Sequence, residues 1–167
     1  MWVGGVRVLI VNENNELLML RQHHEDKDIW MVPGGAIEDG ENSIQAAVRE
    51  VKEETHLDIR ITGVAWHVEE VSPQRGQRFV NYMIGEIIGG ELELGWDPEL
   101  PETRQILREV RFMSREEIGT LEHLYPRFLN DEVWDVLEED VDGRAYYKLR
   151  EPYDPKGYMK DKKGREV

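Results

Sequence analysis

The chain has 167 residues, 40% of them hydrophobic and 34% charged, with a formal net charge of −14 and no cysteine. That length supports one domain with a sizeable core, and the missing cysteines exclude disulfides, thiolate zinc sites and cysteine nucleophiles. The negative balance argues against a long nucleic acid partner and makes a divalent cation the natural bridge to any phosphate compound.

No run approaches the roughly 20 apolar residues that cross a bilayer. The opening MWVGGVR lacks the charged-then-apolar order of a secretory leader, so a cytoplasmic protein without a membrane partner is expected. In chain order, the aliphatic runs 6–11 (VRVLIV) and 17–20 (LLML) flank the turn-rich 12–16 (NENNE) and predict a hairpin. Residues 22–28 are polar and read as a loop. Residues 29–32 (IWMV) read as a short buried strand stopped by Pro33-Gly34-Gly35. A helix is expected over 42–55, then strands over 64–71 and 78–88 joined by the turn formers of 72–77, with 92–94 as a short extension of the sheet. Residues 96–103, with two prolines, read as a loop, and 110–113 as a strand. Ser114 followed three residues later by Glu117 is a capping box that starts a short helix. A last helix is expected within 127–139, with Val133, Trp134, Val136 and Leu137 as its apolar stripe. The order predicts an α+β fold with a mixed sheet between helices. Residues 1–150 form a single domain on this reading, and 151–167 a loosely packed tail.

The segment 35–57 (GAIEDGENSIQAAVREVKEETHL) carries the chemistry. At about 100° per residue, Ile44, Ala47, Val48 and Val51 gather on one side and are expected to face the core. Glu50, Glu53 and Glu54 gather on an adjacent side. Like charges at that spacing repel, and a bound hard cation such as Mg²⁺, which prefers oxygen donors, reverses the sign of that interaction. Gly34 and Gly35 just upstream allow a backbone to approach a ligand closely. Taken singly, a glutamate cluster is usually a solvated face and a Gly-Gly usually a turn.

Taken together, the segment resembles the Nudix box. Gly35 opens it, Glu41 follows after five residues, and seven more lead to Arg49-Glu50; Val51, Glu53-Glu54 and Leu57 complete it. His56 stands where the family has a glycine that ends the helix left-handed, a departure that histidine tolerates at a modest cost in stability. The strand and turn 30–35 and the later 109–118 also resemble family elements. The resemblance implies a Nudix-type α/β/α sandwich and a Mg²⁺-dependent hydrolase, with Mn²⁺ as the alternative ion. Its substrate would be a nucleoside diphosphate linked to another group. Glu50, Glu53 and Glu54 would bind the metal and serve catalysis, and Arg49 and Glu41 would pair behind them. A further glutamate from a late loop would come from Glu99, Glu102 or Glu109, each more often ordinary surface.

Gly34, Gly35 and Trp30 are the substrate-binding candidates. Trp66, Tyr82 and Trp96 are further aromatics able to stack on a base, although core packing suffices to explain each. Pro73, sixteen residues beyond Leu57, resembles the ADP-ribose-hydrolysing branch, yet a hairpin turn explains it as well. Nucleoside triphosphates stay open as substrates. The competing readings are a Nudix-fold module that binds nucleotide without cleaving it, and a calcium-binding scaffold, for which the EF-hand spacing is missing. An RNA-cleaving or decapping activity is disfavoured by the charge. A homodimer contact through 133–137 and 145–149 stands beside the alternative that these segments complete the monomer.

Overall fold

The computed structural model describes residues 4–72, 76–98, 100–138 and the backbone of 146–150. Pro73, Glu99 and the tail 151–167 lie outside the described residues. The elements are β1 (Gly4–Ile10), β2 (Leu17–His24), β3 (Lys27–Met31), α1 (Ser43–Thr55), β4 (Asp58–Ser72), β5 (Gly76–Gly89), β6 (Leu107–Met113), α2 (Arg115–Gly119), α3 (Glu132–Glu138) and β7 (Tyr146–Arg150). One sheet runs β1-β5-β4-β7 and is mixed, with β1 parallel to β5, β5 antiparallel to β4 and β4 parallel to β7. The other runs β3-β2-β6 and is antiparallel.

The aliphatic residues of β1, interrupted only by Arg7, reflect burial on both faces. Val6, Val8 and Ile10 pack with Ala46, Ala47 and Val51 of α1. Leu9 points the other way, into a core with Trp66, Tyr82, Phe128, Leu129 and Trp134. Helices thus cover both sides of the sheets, which is the α/β/α arrangement expected from the sequence.

Five expectations need correction. β1 and β2 are not paired as a hairpin: a single bridge, Val11 to Leu17, joins them, and each belongs to a different sheet. The turn itself is built as its composition suggests, with Asn12 Oδ1 accepting from the N–H groups of Asn14 and Glu16 at 3.0 and 2.9 Å. A local turn leaves the choice of strand partner to tertiary packing. Residues 22–28 are not a loop, because β2 runs to His24 and β3 begins at Lys27 across the two-residue turn Glu25-Asp26, where Glu25 has φ 53. An ion pair from Asp28 to Arg21 and a hydrogen bond between Asp28 and His23 hold this polar stretch in the sheet.

Residues 92–94 do not extend the sheet. The segment instead donates from Glu93, Gly95 and Trp96 to the carbonyls of Thr55, Glu54 and Glu53 at 3.0, 2.9 and 3.1 Å. These are among the carbonyls that an α-helix leaves without internal partners at its end. The fourth correction concerns the inner face of α1. Ala46, Ala47, Val51 and Thr55 are buried, whereas Ile44 is 53% and Val48 36% exposed. Turning the helix wheel by 100° per residue centres the inward face on Ala47 and Val51, with the half-buried Glu54 beside them. The helix is rolled so that a carboxylate, and not only its aliphatic stripe, points inward.

The expected helix over 127–139 divides into a 3-10 turn, Arg127–Leu129, and α3, whose Val133, Trp134 and Val136 are buried. α1 starts at the capping box of Asn42 and Gln45, and α2 at that of Ser114 and Glu117. α1 ends at His56, φ 62 and ψ 4, whose N–H donates to the Lys52 carbonyl at 3.0 Å. A left-handed residue with a Cβ is strained there. His56→Gly is therefore expected to raise stability by about 0.5–1 kcal/mol, read as a higher urea midpoint; an unchanged or lower midpoint would contradict this.

Candidate functional site

The turn Pro33-Gly34-Gly35 lies against α1 because only glycines fit it. Gly34 has φ +141, and a Cβ there would stand 2.1 Å from the Val6 carbonyl oxygen. A Cβ on Gly35 would stand 2.4 Å from Glu50 Oε1. β1 fixes the turn from below, with Val6 N–H donating to the Gly35 carbonyl and Val8 N–H to that of Pro33, at 2.9 and 2.8 Å. The Gly34 N–H in turn donates to the Glu54 carboxylate at 2.9 Å.

Arg49 organises the outer half of the cluster. Its Nε and Nη2 form a two-point pair with Glu41 at 2.6 and 3.1 Å, and Nη2 also donates to the Ala36 carbonyl at 3.0 Å. Its Nη1 reaches Glu50 at 3.0 Å and Glu53 at 3.3 Å. The guanidinium therefore ties the loop to the helix and partly neutralises two carboxylates. Glu41 is held below the usual carboxylate range, chiefly by its hydrogen bonds from Arg49.

The three helix carboxylates are shifted the other way, and burial is the largest cause for each. Glu54 is the extreme case, pushed up to about 8 despite the opposing charge of Arg7 and the Gly34 hydrogen bond. A cavity of about 240 Å³ opens in front of this cluster, with Gly34, Gly35, Glu50, Glu53 and Glu54 on one wall and Trp96 and Asp97 on another.

Asp97 escaped the sequence reading. Its charge contributes to the raised values of Glu53 and Glu54. The Gln105 side chain fixes its backbone, accepting from the Asp97 N–H and donating to its carbonyl, both at 2.8 Å. The signal that could have found it is Gly95, whose Cβ would fall 1.8 Å from the Glu53 carbonyl oxygen. A glycine demanded by backbone contact with the carboxylate helix marks the loop that meets the site. Of the glutamates considered in its place, Glu102 lies on a 3-10 turn and Glu109 pairs with Arg21 and Arg111 on β6. Neither lines the cavity.

The aromatic candidates separate. Trp66 is part of the core. The guanidinium groups of Arg21 and Arg111 lie over the Trp30 ring, 5.9 and 5.6 Å from its centroid, and Trp30 lines neither of the two cavities at the site. Trp96 is 47% exposed at the carboxylate cavity. Tyr82 forms part of a second cavity of about 390 Å³, together with Arg7, Lys27, Arg78 and Tyr125. Tyr125 O–H donates there to Glu70 at 2.9 Å. The two cavities adjoin, sharing Gln22, Gly35 and Ala36.

The donor set suits a hard cation. Five carboxylates, Glu38, Glu50, Glu53, Glu54 and Asp97, share one cavity, and at Glu54 burial outweighs the opposing charge of Arg7. Among the described residues no three acidic or histidine groups stand close enough to grip a bare ion. Mg²⁺ keeps waters and takes phosphate oxygens, so one or two carboxylates suffice and the residues fit.

The shift at Glu54 ties the stability of metal-free protein to pH with a definite sign. The folded carboxyl keeps its proton up to about 8, while the unfolded chain releases it near 4.5. The stabilising contribution is whole below the unfolded value and is lost as pH rises through the folded one. Melting curves in chelator between pH 4.5 and 8 should show wild type losing stability relative to Glu54→Gln as pH increases. A difference that stays constant across this window would refute the assignment.

Compared with known proteins, residues 1–132 match the family model described as "NUDIX domain". The chain is 34% identical over 96 residues to an ADP-ribose pyrophosphatase of Methanocaldococcus jannaschii, covering 56% of each chain. It is 24% identical over 158 residues to an RNA pyrophosphohydrolase of Pelagibacter ubique, covering 95% of this chain and 91% of that one. The first three curated relatives are spanned over only 22%, 58% and 56% of their own length. Among solved structures, a NUDIX hydrolase from Nitrosomonas europaea superposes with a TM-score of 0.65 at 17% identity, over 83% of this chain and 87% of that one, a likeness of fold.

Proposed function

This chain belongs to the NUDIX domain family, and on that premise we propose that it is a divalent-cation-dependent hydrolase of phosphoanhydride bonds, acting on a nucleoside diphosphate linked to a second group. The observation that carries the reading is the convergence of Glu50, Glu53 and Glu54 on one cavity beside the Gly34-Gly35 turn. Family membership and relatives named as pyrophosphatases support the same reaction class. Residues 1–150 act as one domain in this proposal.

Glu50, Glu53 and Glu54 would hold Mg²⁺ or Mn²⁺, one or two of them directly and the rest through the waters the ion keeps, with Asp97 as a further oxygen acceptor. A bound cation supplies neutralisation of the diphosphate and acidifies water. One carboxylate of the cluster accepts the proton of the attacking water. The water oxygen forms a bond to phosphorus, the bridging P–O bond breaks, and the departing phosphate oxygen keeps the bonding pair and is protonated by solvent. Arg49 and Glu41 hold the turn against the helix, and Gly34 and Gly35 allow the substrate's phosphates to lie close to the backbone.

The adjoining cavity with Tyr82 and Tyr125 is where a base or sugar would lie in this reading. Its shared wall at Gln22, Gly35 and Ala36 joins it to the carboxylates at the place a diphosphate would span. A product screen with Mg²⁺ tests the proposal, using ADP-ribose, nucleoside triphosphates, dinucleoside polyphosphates, sugar nucleotides and 5′-triphosphorylated RNA. Turnover of a diphosphate-linked nucleoside is the expected result. Nucleotide binding without turnover anywhere in the panel would assign the chain to the non-hydrolysing alternative.

A further inference from the structure

β1 is buried along its whole length except at Arg7. A guanidinium in the middle of such a strand is costly unless its charge and its donors are answered. Other arginines near the site are answered by carboxylates: Arg49 by Glu38, Glu41, Glu50 and Glu53, and Arg21 by Asp28 and Glu109. Among the described residues Arg7 has no carboxylate in ion-pairing range. Its Nη1 alone is engaged, donating to the carbonyls of Gly34 at 2.8 Å and Val32 at 3.3 Å.

Those two bonds hold the guanidinium against the turn that carries Gly34 and Gly35. The side chain also forms part of the wall of the 390 Å³ cavity, on the strand position paired with Tyr82. Nε and Nη2 have no acceptor among the described residues, and neither is sealed from solvent, so donors remain for a ligand in the cavity. Lys27 and Arg78 line the same cavity, so that with Arg7 three cations face the two carboxylates Glu25 and Glu70 there, a positive balance on a protein of net charge −14. A planar, pinned fork with spare donors is the geometry that binds phosphate oxygens.

We infer that Arg7 is the anchor for the phosphate on the nucleoside side of the substrate, fixing the diphosphate so that its other end reaches the carboxylate cavity. The inference rests on the hydrolase reading for its substrate class, but binding alone can test it. Nη1 sets the position of the fork through the turn, and the remaining donors meet the ligand. One residue thereby couples the place where the nucleoside sits to the Gly34-Gly35 turn facing the carboxylates.

The experiment is calorimetric titration of the full chain, in Mg²⁺, with ADP and separately with adenosine, for wild type, Arg7→Met and Arg7→Lys. Arg7→Met should weaken ADP by about 10- to 100-fold, the loss expected for charge-assisted hydrogen bonds, and leave adenosine unchanged. Arg7→Lys keeps the charge without the fork and should lose several-fold for ADP only; it decides alone if Arg7→Met does not fold. ADP affinity untouched by either variant overturns the inference. So does an equal loss for adenosine and ADP, which would mark Arg7 as a clamp of the turn alone. Turnover assays on the same samples separate the two readings. ADP binding that depends on Arg7 in a protein without turnover keeps the anchor and removes the hydrolase. Turnover with ADP binding independent of Arg7 does the reverse, and a wild type that binds neither probe overturns both.

Discussion

Glu54→Gln should abolish nearly all turnover while making the metal-free protein more stable. The two effects have one cause. Glu54 is half-buried on the inward side of α1 at the wall of the carboxylate cavity, its carboxyl pushed up to about 8 chiefly by burial. A charge in that place destabilises the fold until a cation offsets it. Glutamine has the same shape and still accepts the Gly34 N–H, but it carries no charge and binds a hard cation poorly. The expected loss in kcat is about 10³-fold, the scale for removing one charge-stabilising group from such a centre. In chelator at pH 8 the variant should melt several degrees above wild type. Kinetics and thermal melts on one preparation check both halves. Turnover retained, or a variant less stable than wild type under those conditions, would mean that Glu54 is a structural acid.

Gly95→Ala is expected to give the largest effect outside the helix. Its Cβ would lie 1.8 Å from the Glu53 carbonyl oxygen, 2.5 Å from the Glu54 carbonyl carbon and 2.6 Å from the Glu54 Cα. All three are backbone atoms of a helix packed against the core, so the loop must move. Lifting it breaks the hydrogen bonds from Glu93, Gly95 and Trp96 that cap α1, at about 2–4 kcal/mol for three such bonds. It also withdraws Asp97 and Trp96 from the carboxylate cavity. The urea midpoint should fall by a corresponding amount, and kcat by about 10²-fold. Asp97→Asn separates the two contributions, since it should lower kcat by a similar factor and leave the midpoint near wild type. Full activity in both variants would remove the loop from the site.

The contrast between these residues explains what could be read from the sequence. Glu50, Glu53 and Glu54 are placed by the geometry of one helix, and Glu41 and Arg49 by a short loop and that helix, so spacing along the chain stands in for proximity. The same locality made the Ser114 cap legible. Asp97 is far along the chain from the helix it faces, and what brings it there is a backbone contact that only Gly95 permits. In sequence it is one more acid in an acid-rich loop. Arg7 was hidden differently, inside the run 6–11 that read simply as aliphatic. Only the carbonyls above it and the cavity beside it distinguish it from a surface arginine. Residues 22–28 were misread because polarity signals solvent contact, and a strand tied by Arg21, His23 and Asp28 at a sheet margin meets solvent too. The rolled inner face of α1 follows the same logic. The apolar stripe of α1 is wider than the face it buries, so Ile44 and Val48 stay exposed while Ala46 and Thr55 turn inward.

The most direct test of the site is hydrolysis of a diphosphate-linked nucleoside, beginning with ADP-ribose and extended through the panel, by wild type and Glu53→Gln in Mg²⁺ and in chelator. The account predicts turnover by wild type in Mg²⁺ and its loss in chelator, with a fall of about 10²-fold or more in the variant. Turnover that survives either the chelator or the substitution would contradict the assignment of chemistry to the α1 carboxylates.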